Sequence, residues 1–197
     1  LWKEYNAAIA DYSKYIKKKP TDKKAFIKRS NVFLLQGNYK SAIADYTTIT
    51  KLDPTDITNW LNRSNAYSKS KKYDLALSDI EAALKIDPQN SAAWNVKCNI
   101  YIDAHKYDIA ILDFTNALKK NPGLTILYDC RGRIYEAQGN YKDAFTQYVS
   151  PDKNDKHFIE HDYIDKCNEY LNIGRGDLVV TLISYIEEFN YASEAIF

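Results

Sequence analysis

The sequence predicts an all-α array of antiparallel helical hairpins, and three observations carry that prediction. Prolines stand at Pro20, Pro54, Pro88 and Pro122, each 34 residues after the one before. Several other residue types keep the same step. Between one proline and the next lie two stretches with apolar residues at i, i+3/i+4 and i+7, the spacing of a helix that buries one face. A fixed step of about 20–50 residues marks a repeat architecture, in which each unit hides its apolar face against its neighbour.

The columns justify the elements in order. Tyr5, Tyr39, Tyr73, Tyr107 and Tyr141 form one column, and Ala8, Ala42, Ala76, Ala110 and Ala144 a second. Phe26, Trp60, Trp94 and Tyr128 form a third, and Phe33, Tyr67, Tyr101 and Tyr135 a fourth. In the copy around Trp60 the pattern predicts a first helix over 56–70 and a second over 73–86. Ala76 falls where the two helices cross, and a methyl there lets the backbones approach to about 8–10 Å. The aromatics at 60, 67 and 73 are larger than one hairpin can cover, so they must pack on the next. Proline ends the second helix, because it lacks an N–H and clashes with the preceding turn. Thr21-Asp22, Thr55-Asp56 and Asn90-Ser91 then offer oxygens to cap the helix that follows.

This order of aromatic, small residue, tyrosine, alanine, aromatic and proline at a 34-residue step resembles the tetratricopeptide repeat. The resemblance covers nearly the whole chain. It implies a right-handed superhelical solenoid of antiparallel helix-turn-helix repeats, with the first helix of each hairpin lining a concave groove. On that register, residues 1–22 hold the second helix of a truncated first repeat. Full copies follow at 23–56, 57–90, 91–124 and 125–156, and 157–197 form a degenerate repeat with a C-terminal extension, all in one solenoid domain. Pro151 is expected to stop the last regular helix near 149, leaving 150–156 as a polar turn. In the degenerate copy Tyr163, Cys167, Tyr170, Gly174, Val179 and Ile183 reach the columns with a one-residue slip. Ile196-Phe197 are too apolar for a polar cap. The chain begins at Leu1 and contains no Met, so Leu1 is read as other than a native start, which leaves a targeting signal upstream open.

Composition narrows the function classes. There are 27 basic against 26 acidic residues, net charge +1, without the basic excess of a nucleic-acid binder. No apolar run approaches the roughly 18–20 residues of a membrane helix. Three cysteines, at 98, 130 and 167 and without CxxC spacing, suit a reducing, cytoplasmic setting. No cofactor or metal is expected, and no nucleophile–base set suggests an enzyme.

Asparagines recur at Asn31, Asn65 and Asn99, with Asn168 at the matching place in the degenerate copy and Arg133 between. The resemblance places that face in the groove. An amide both donates and accepts, so such a ladder could bond the backbone of an extended peptide. The competing reading is that these amides only cap local backbone or meet water. Lys24, Lys28, Ile27 and Leu61 would line the N-terminal part. Asn95, Asp129, Glu136 and Asp165 would line the C-terminal part, so a partner with an acidic or polar end near the first copies and a basic end near the last is expected. The family's carboxylate clamp for chaperone tails finds Asn31 and Asn62 in place. Ile27, Ala92 and Val96, however, replace its cations, which disfavours a chaperone tail.

A second column is basic (Arg29, Arg63, Lys97, Arg131, Lys166) and a third acidic (Asp11, Asp45, Asp79, Asp113, with Gln147 last). One of each per repeat suggests structural pairs across or between hairpins. Other motifs have plain explanations. His157 and His161, with Glu160 and Asp165, match a metal-binding spacing but lack a distant ligand. Arg175-Gly176-Asp177 fills an inter-helix turn. The sequon Asn62-Arg63-Ser64 lies within a helix, and Cys98 and Cys167 stand where a small residue is needed. The leading expectation is therefore a protein-interaction scaffold that binds an extended peptide or helix. The alternatives are the non-catalytic arm of a larger enzyme, or a structural subunit of a large assembly such as a ciliary or transport complex.

Overall fold

The computed structural model describes residues 2–148, 168–170, 172, 174–180 and 183–184. They fall into two units, Leu1–Lys106 and Tyr107–Phe197. The first unit contains α1 (Trp2–Lys18), α2 (Lys23–Leu35), α3 (Tyr39–Leu52), α4 (Ile57–Lys69), α5 (Tyr73–Ile86) and α6 (Ser91–Asp103). The second contains α7 (Tyr107–Lys120), α8 (Ile126–Ala137) and α9 (Tyr141–Tyr148). No strand occurs among the described residues. The two helices expected around Trp60 are α4 and α5.

Local chemistry sets the boundaries. Asp22 accepts from the Lys24 and Ala25 amides, Asp56 from Thr58 and Asn90 from Ala93, so residues after Pro20, Pro54 and Pro88 cap the next helix, whereas Thr125 after Pro122 makes no such bond. Inside each hairpin the first helix ends on a left-handed residue: Gly37 (φ +69°), Lys71 (+60°), His105 (+53°), Gly139 (+78°) and Gly174 (+74°). The next amide reaches back five residues, as in Asn38 to the Phe33 carbonyl (2.8 Å), Lys72 to Tyr67 (2.9 Å) and Arg175 to Tyr170 (2.8 Å). These are Schellman closures, which satisfy carbonyls the helix leaves open.

Packing follows the columns. In the first unit α2 packs on α3 and α4 on α5, and each second helix also packs on the next first helix. Ala42, Ala76 and Ala144 are buried on the second helices, as are the small residues Ser30, Ser64 and Gly132 on the first helices they pack against. The Ser64 hydroxyl donates across its hairpin to the Ala76 carbonyl at 2.9 Å. At Gly132 the facing space is filled by Tyr148, since an added Cβ would lie 2.3 Å from its ring. The aromatic column also fastens hairpin to hairpin. The indole N–H of Trp60 donates to the Pro54 carbonyl (2.8 Å), and that of Trp94 to Pro88 (2.9 Å). The tryptophan thus closes the end of the preceding helix that proline terminates.

In the degenerate copy Tyr170 is buried and Gly174 makes the left-handed turn, both at the slipped positions. Beyond the turn the pattern differs from expectation. Leu178 is buried, whereas Val179 is half-buried and Ile183 exposed. Leu178 stands 34 residues after Ala144, so the one-residue slip does not carry past the turn. The turn at 150–156, His157, Glu160, His161, Tyr163, Asp165, Lys166, Cys167 and Ile196-Phe197 lie outside the described residues.

Candidate protein-binding face

The charged columns meet inside the hairpins. Arg29 on α2 donates from Nε and Nη2 to both Asp45 oxygens on α3, at 2.8 and 2.6 Å. Arg63 on α4 does the same to Asp79 on α5, at 2.7 and 2.6 Å. Each guanidinium lies between two aromatics of its own helix, Phe26 and Phe33 (5.6 and 5.8 Å) or Trp60 and Tyr67 (5.0 and 5.9 Å). The hydrogen bonds that Arg63 donates to Asp79 hold its guanidinium above its ordinary pKa, against the opposing effect of burial. Bidentate, charge-assisted bonds and cation–π contacts in a dry setting fix each cation in place.

The same cations reach back to the preceding hairpin. Arg29 Nη1 donates to Ser13 on α1 (2.8 Å), and Arg63 Nη1 to Thr47 (3.4 Å) and Thr50 (2.9 Å) on α3. Lys97, buried between Trp94 and Tyr101, pairs with Glu81 on α5 at 2.5 Å. Sequence reasoning missed these backward bonds. Their signal is a column of Ser13, Thr47, Glu81 and Thr115, polar at every step. The cations are thus built into the scaffold, which leaves other residues to meet a partner.

The asparagines stand differently. Asn31, Asn65 and Asn99 are exposed on α2, α4 and α6, and α4 packs directly on α6. Asn31 accepts from the Tyr46 hydroxyl at 2.8 Å, which orients its amide. At the positions matching Tyr46 the later copies have Ile80 and Phe114, which carry no hydroxyl. Asn62 and Asn95 are half-buried on the same helices, and Lys24 and Lys28 are exposed on α2. A further link between first helices is Ser68 Oγ to Asp103 at 3.4 Å. The first unit therefore gathers Lys24, Lys28, Asn31, Asn62, Asn65, Asn95 and Asn99 on its three first helices. Asp129, Arg133 and Asn168 belong to the second unit. There Asp129 and Arg133 approach at 3.9 Å along α8, and Asn168 is exposed.

Arg175 and Asp177 bond each other at 2.8 Å, and Arg175 stacks on Tyr141 at 5.6 Å, so the tripeptide's two charges are engaged locally. Among the described residues no group of three His, Cys, Asp or Glu could hold a metal ion, and no helix is long and apolar enough to cross a membrane.

Sequence profiles described as tetratricopeptide repeat match residues 4–57, 58–90 and 98–150. No curated protein sequence matches significantly. Solved structures share the fold at low identity. MamA aligns with a TM-score of 0.60 at 18% identity, over 83% of this chain and 91% of that one. A tetratricopeptide repeat protein from Parabacteroides merdae aligns at 0.57 and 17%, over 99% and 76%. YrrB, a TPR protein with an unusual peptide-binding site, aligns at 0.53 and 17%, over 81% and 83%. Repeat period, paired helices and matching profiles agree: the chain belongs to the tetratricopeptide repeat family.

Proposed function

We propose that the chain is a protein-interaction scaffold that holds an extended peptide segment or a helix of its partner against the first helices α2, α4 and α6. The observation that carries this reading is the exposed column Asn31, Asn65 and Asn99, presented on consecutive first helices beside a cation column engaged within the scaffold. Packing does not require an exposed amide at each step, whereas a peptide backbone, with a donor and an acceptor per residue, is matched by amides at intervals. Lys24 and Lys28, exposed at the α2 end, favour a partner with acidic residues there. That YrrB, which shares the fold, has a peptide-binding site supports the class of ligand.

The test is a random-peptide display selection on the purified chain, followed by fluorescence anisotropy on the recovered peptides. The Asn65→Ala/Asn99→Ala double variant is expected to weaken them at least about tenfold, as loss of two or more backbone hydrogen bonds would. Lys28→Glu is expected to reject the acidic peptides selectively. Peptides that bind all variants equally would refute the groove reading.

A further inference from the structure

Asn31 differs from Asn65 in its column because a buried hydroxyl holds its amide. Tyr46 lies in the core cluster with Phe26 and Ile49 and is 1% exposed. Its hydroxyl donates to Asn31 Oδ1 at 2.8 Å. With the carbonyl oxygen turned to Tyr46, the amide presents its N–H groups outward. Burial holds the Tyr46 hydroxyl above its ordinary pKa, so it stays protonated and able to donate. Beside Asn65 the matching position is Ile80, which has no hydroxyl, and the Asn65 side chain bonds no other described residue. That amide can turn either edge to a partner.

Lys28 and Lys24 stand one and two turns before Asn31 on the same face of α2. Both are exposed, and neither forms a side-chain ion pair or hydrogen bond with another described residue. The strip of Lys24, Lys28 and Asn31 therefore offers donors only. It does not owe its exposure to its place in the array. On α6 the matching residues Ala92, Val96 and Asn99 are exposed, half-buried and exposed, although α4 packs on that helix. A preceding first helix thus leaves the strip open.

We propose that Tyr46 is a positioning residue that commits Asn31 to donate, so that Lys28 and Asn31 together take the two oxygens of an aspartate or glutamate side chain in the partner's peptide. This rests on the reading that the partner lies against α2, α4 and α6, and it names the chemistry that the α2 end selects. Side chains three residues apart on a helix lie about 5–6 Å apart at Cβ, within span of one carboxylate. A carboxylate offers acceptors alone and matches the pair, whereas a carboxamide sets its own NH2 against one of the two donors. Lys24 lies about 10 Å from Asn31 along the axis and suits a second acidic residue, which an acidic run supplies and a single chain end does not.

The probes are two random-peptide pools displayed on phage, identical except that one central position is Glu in the first and Gln in the second. Displayed peptides are fused at their C-terminal end, so no free terminal carboxylate takes part. The unaltered chain is expected to recover the Glu pool at least about tenfold over the Gln pool, the scale of a charge-assisted bond. Tyr46→Phe keeps the ring and should lower that ratio at least about threefold, with Gln recovery unchanged or raised, because the released amide can turn to meet a carboxamide. Damage to the fold would lower both pools together, and a circular dichroism melt checks it directly. In an Asn31→Ala background Tyr46→Phe should leave the ratio as it is, since the hydroxyl acts only through Asn31. A ratio unmoved by Tyr46→Phe, or lowered equally in both backgrounds, overturns the proposal. If Asn65→Ala/Asn99→Ala still weakens both pools in that case, the groove reading stands and this one alone falls. Failure of both pools to bind the unaltered chain overturns the two together. A synthetic peptide that binds as the free acid and not as the C-terminal amide, with Glu and Gln pools equal, also overturns it, by giving the strip to a chain end.

Discussion

In hairpin α4–α5 the Arg63 guanidinium lies between two aromatics, donates twice to Asp79 and reaches back to Thr47 and Thr50. In hairpin α8–α9 the same two positions hold Arg131 and Gln147. There Arg131 Nε and Gln147 Oε1 are buried and have no hydrogen-bond partner among the described residues. The small-residue position differs too. Ser64 bonds the Ala76 carbonyl, whereas Gly132 yields its space to the ring of Tyr148, whose hydroxyl burial pushes well above its ordinary pKa. A 34-residue period thus repeats positions, and the chemistry at each position can lapse while packing holds the hairpin. A neutral amide has one acceptor oxygen where a carboxylate has two, so the replacement cannot answer the arginine's fork.

The largest expected effect comes from breaking the satisfied hairpin. Asp79→Ala leaves Arg63 partly buried and without its carboxylate, and should cost about 3–5 kcal/mol in urea unfolding. Replacing both partners, Arg63→Met with Asp79→Leu, should recover most of that loss. In the other hairpin Gly132→Ala forces Tyr148 aside and should cost about 1–3 kcal/mol, as overpacking does. Ser64→Ala, by contrast, removes one hydrogen bond from its hairpin, for about 1 kcal/mol. A Gln147→Ala loss larger than that of Asp79→Ala would invert the comparison.

Sharpening it in the opposite direction, Gln147→Glu keeps the shape and supplies the missing carboxylate. It should gain about 1–2 kcal/mol, read as a higher urea midpoint with unchanged slope. At the turns, Lys71 occupies a left-handed conformation that Gly139 adopts without strain, so Lys71→Gly should gain about 0.5–1 kcal/mol. The smallest effect is electrostatic. Asp53 accepts from Lys23 and Thr55, and these bonds hold its carboxyl below the ordinary 3.8. A depressed folded-state pKa gives stability present above the unfolded value and lost as pH falls through the folded one. The thermal midpoint of Asp53→Asn should therefore match that of the unaltered chain at the acid end and lie slightly below it at neutral pH, with the gap shrinking in salt.

Much of the fold was legible because the repeat prints its constraints several times. Pro54 with Trp60 and Ala76 with Ser64 each mark a place where two backbones must meet, and a required contact leaves the same residue type at every step. The turn was less legible. Gly37 and Gly139 signal a left-handed residue, but Lys71 and His105 hide it, since the backbone takes that conformation to close the Schellman bonds whatever the side chain. The backward bonds of Arg29, Arg63 and Lys97 were illegible in any one copy, because Ser13, Thr47 and Glu81 share only polarity. The candidate site was legible as a column of asparagines, and its composition only as an expectation.

By itself the sequence determined the period, the pairing of helices, their caps and the opposition of a basic to an acidic column, because each follows from short-range spacing. Only the tertiary structure decided which partner each cation takes, that Tyr46 orients Asn31, and that Tyr148 fills the space at Gly132. Those outcomes depend on which helix lies on which, and residues 16 or 34 apart in sequence share a site only once the hairpins have stacked.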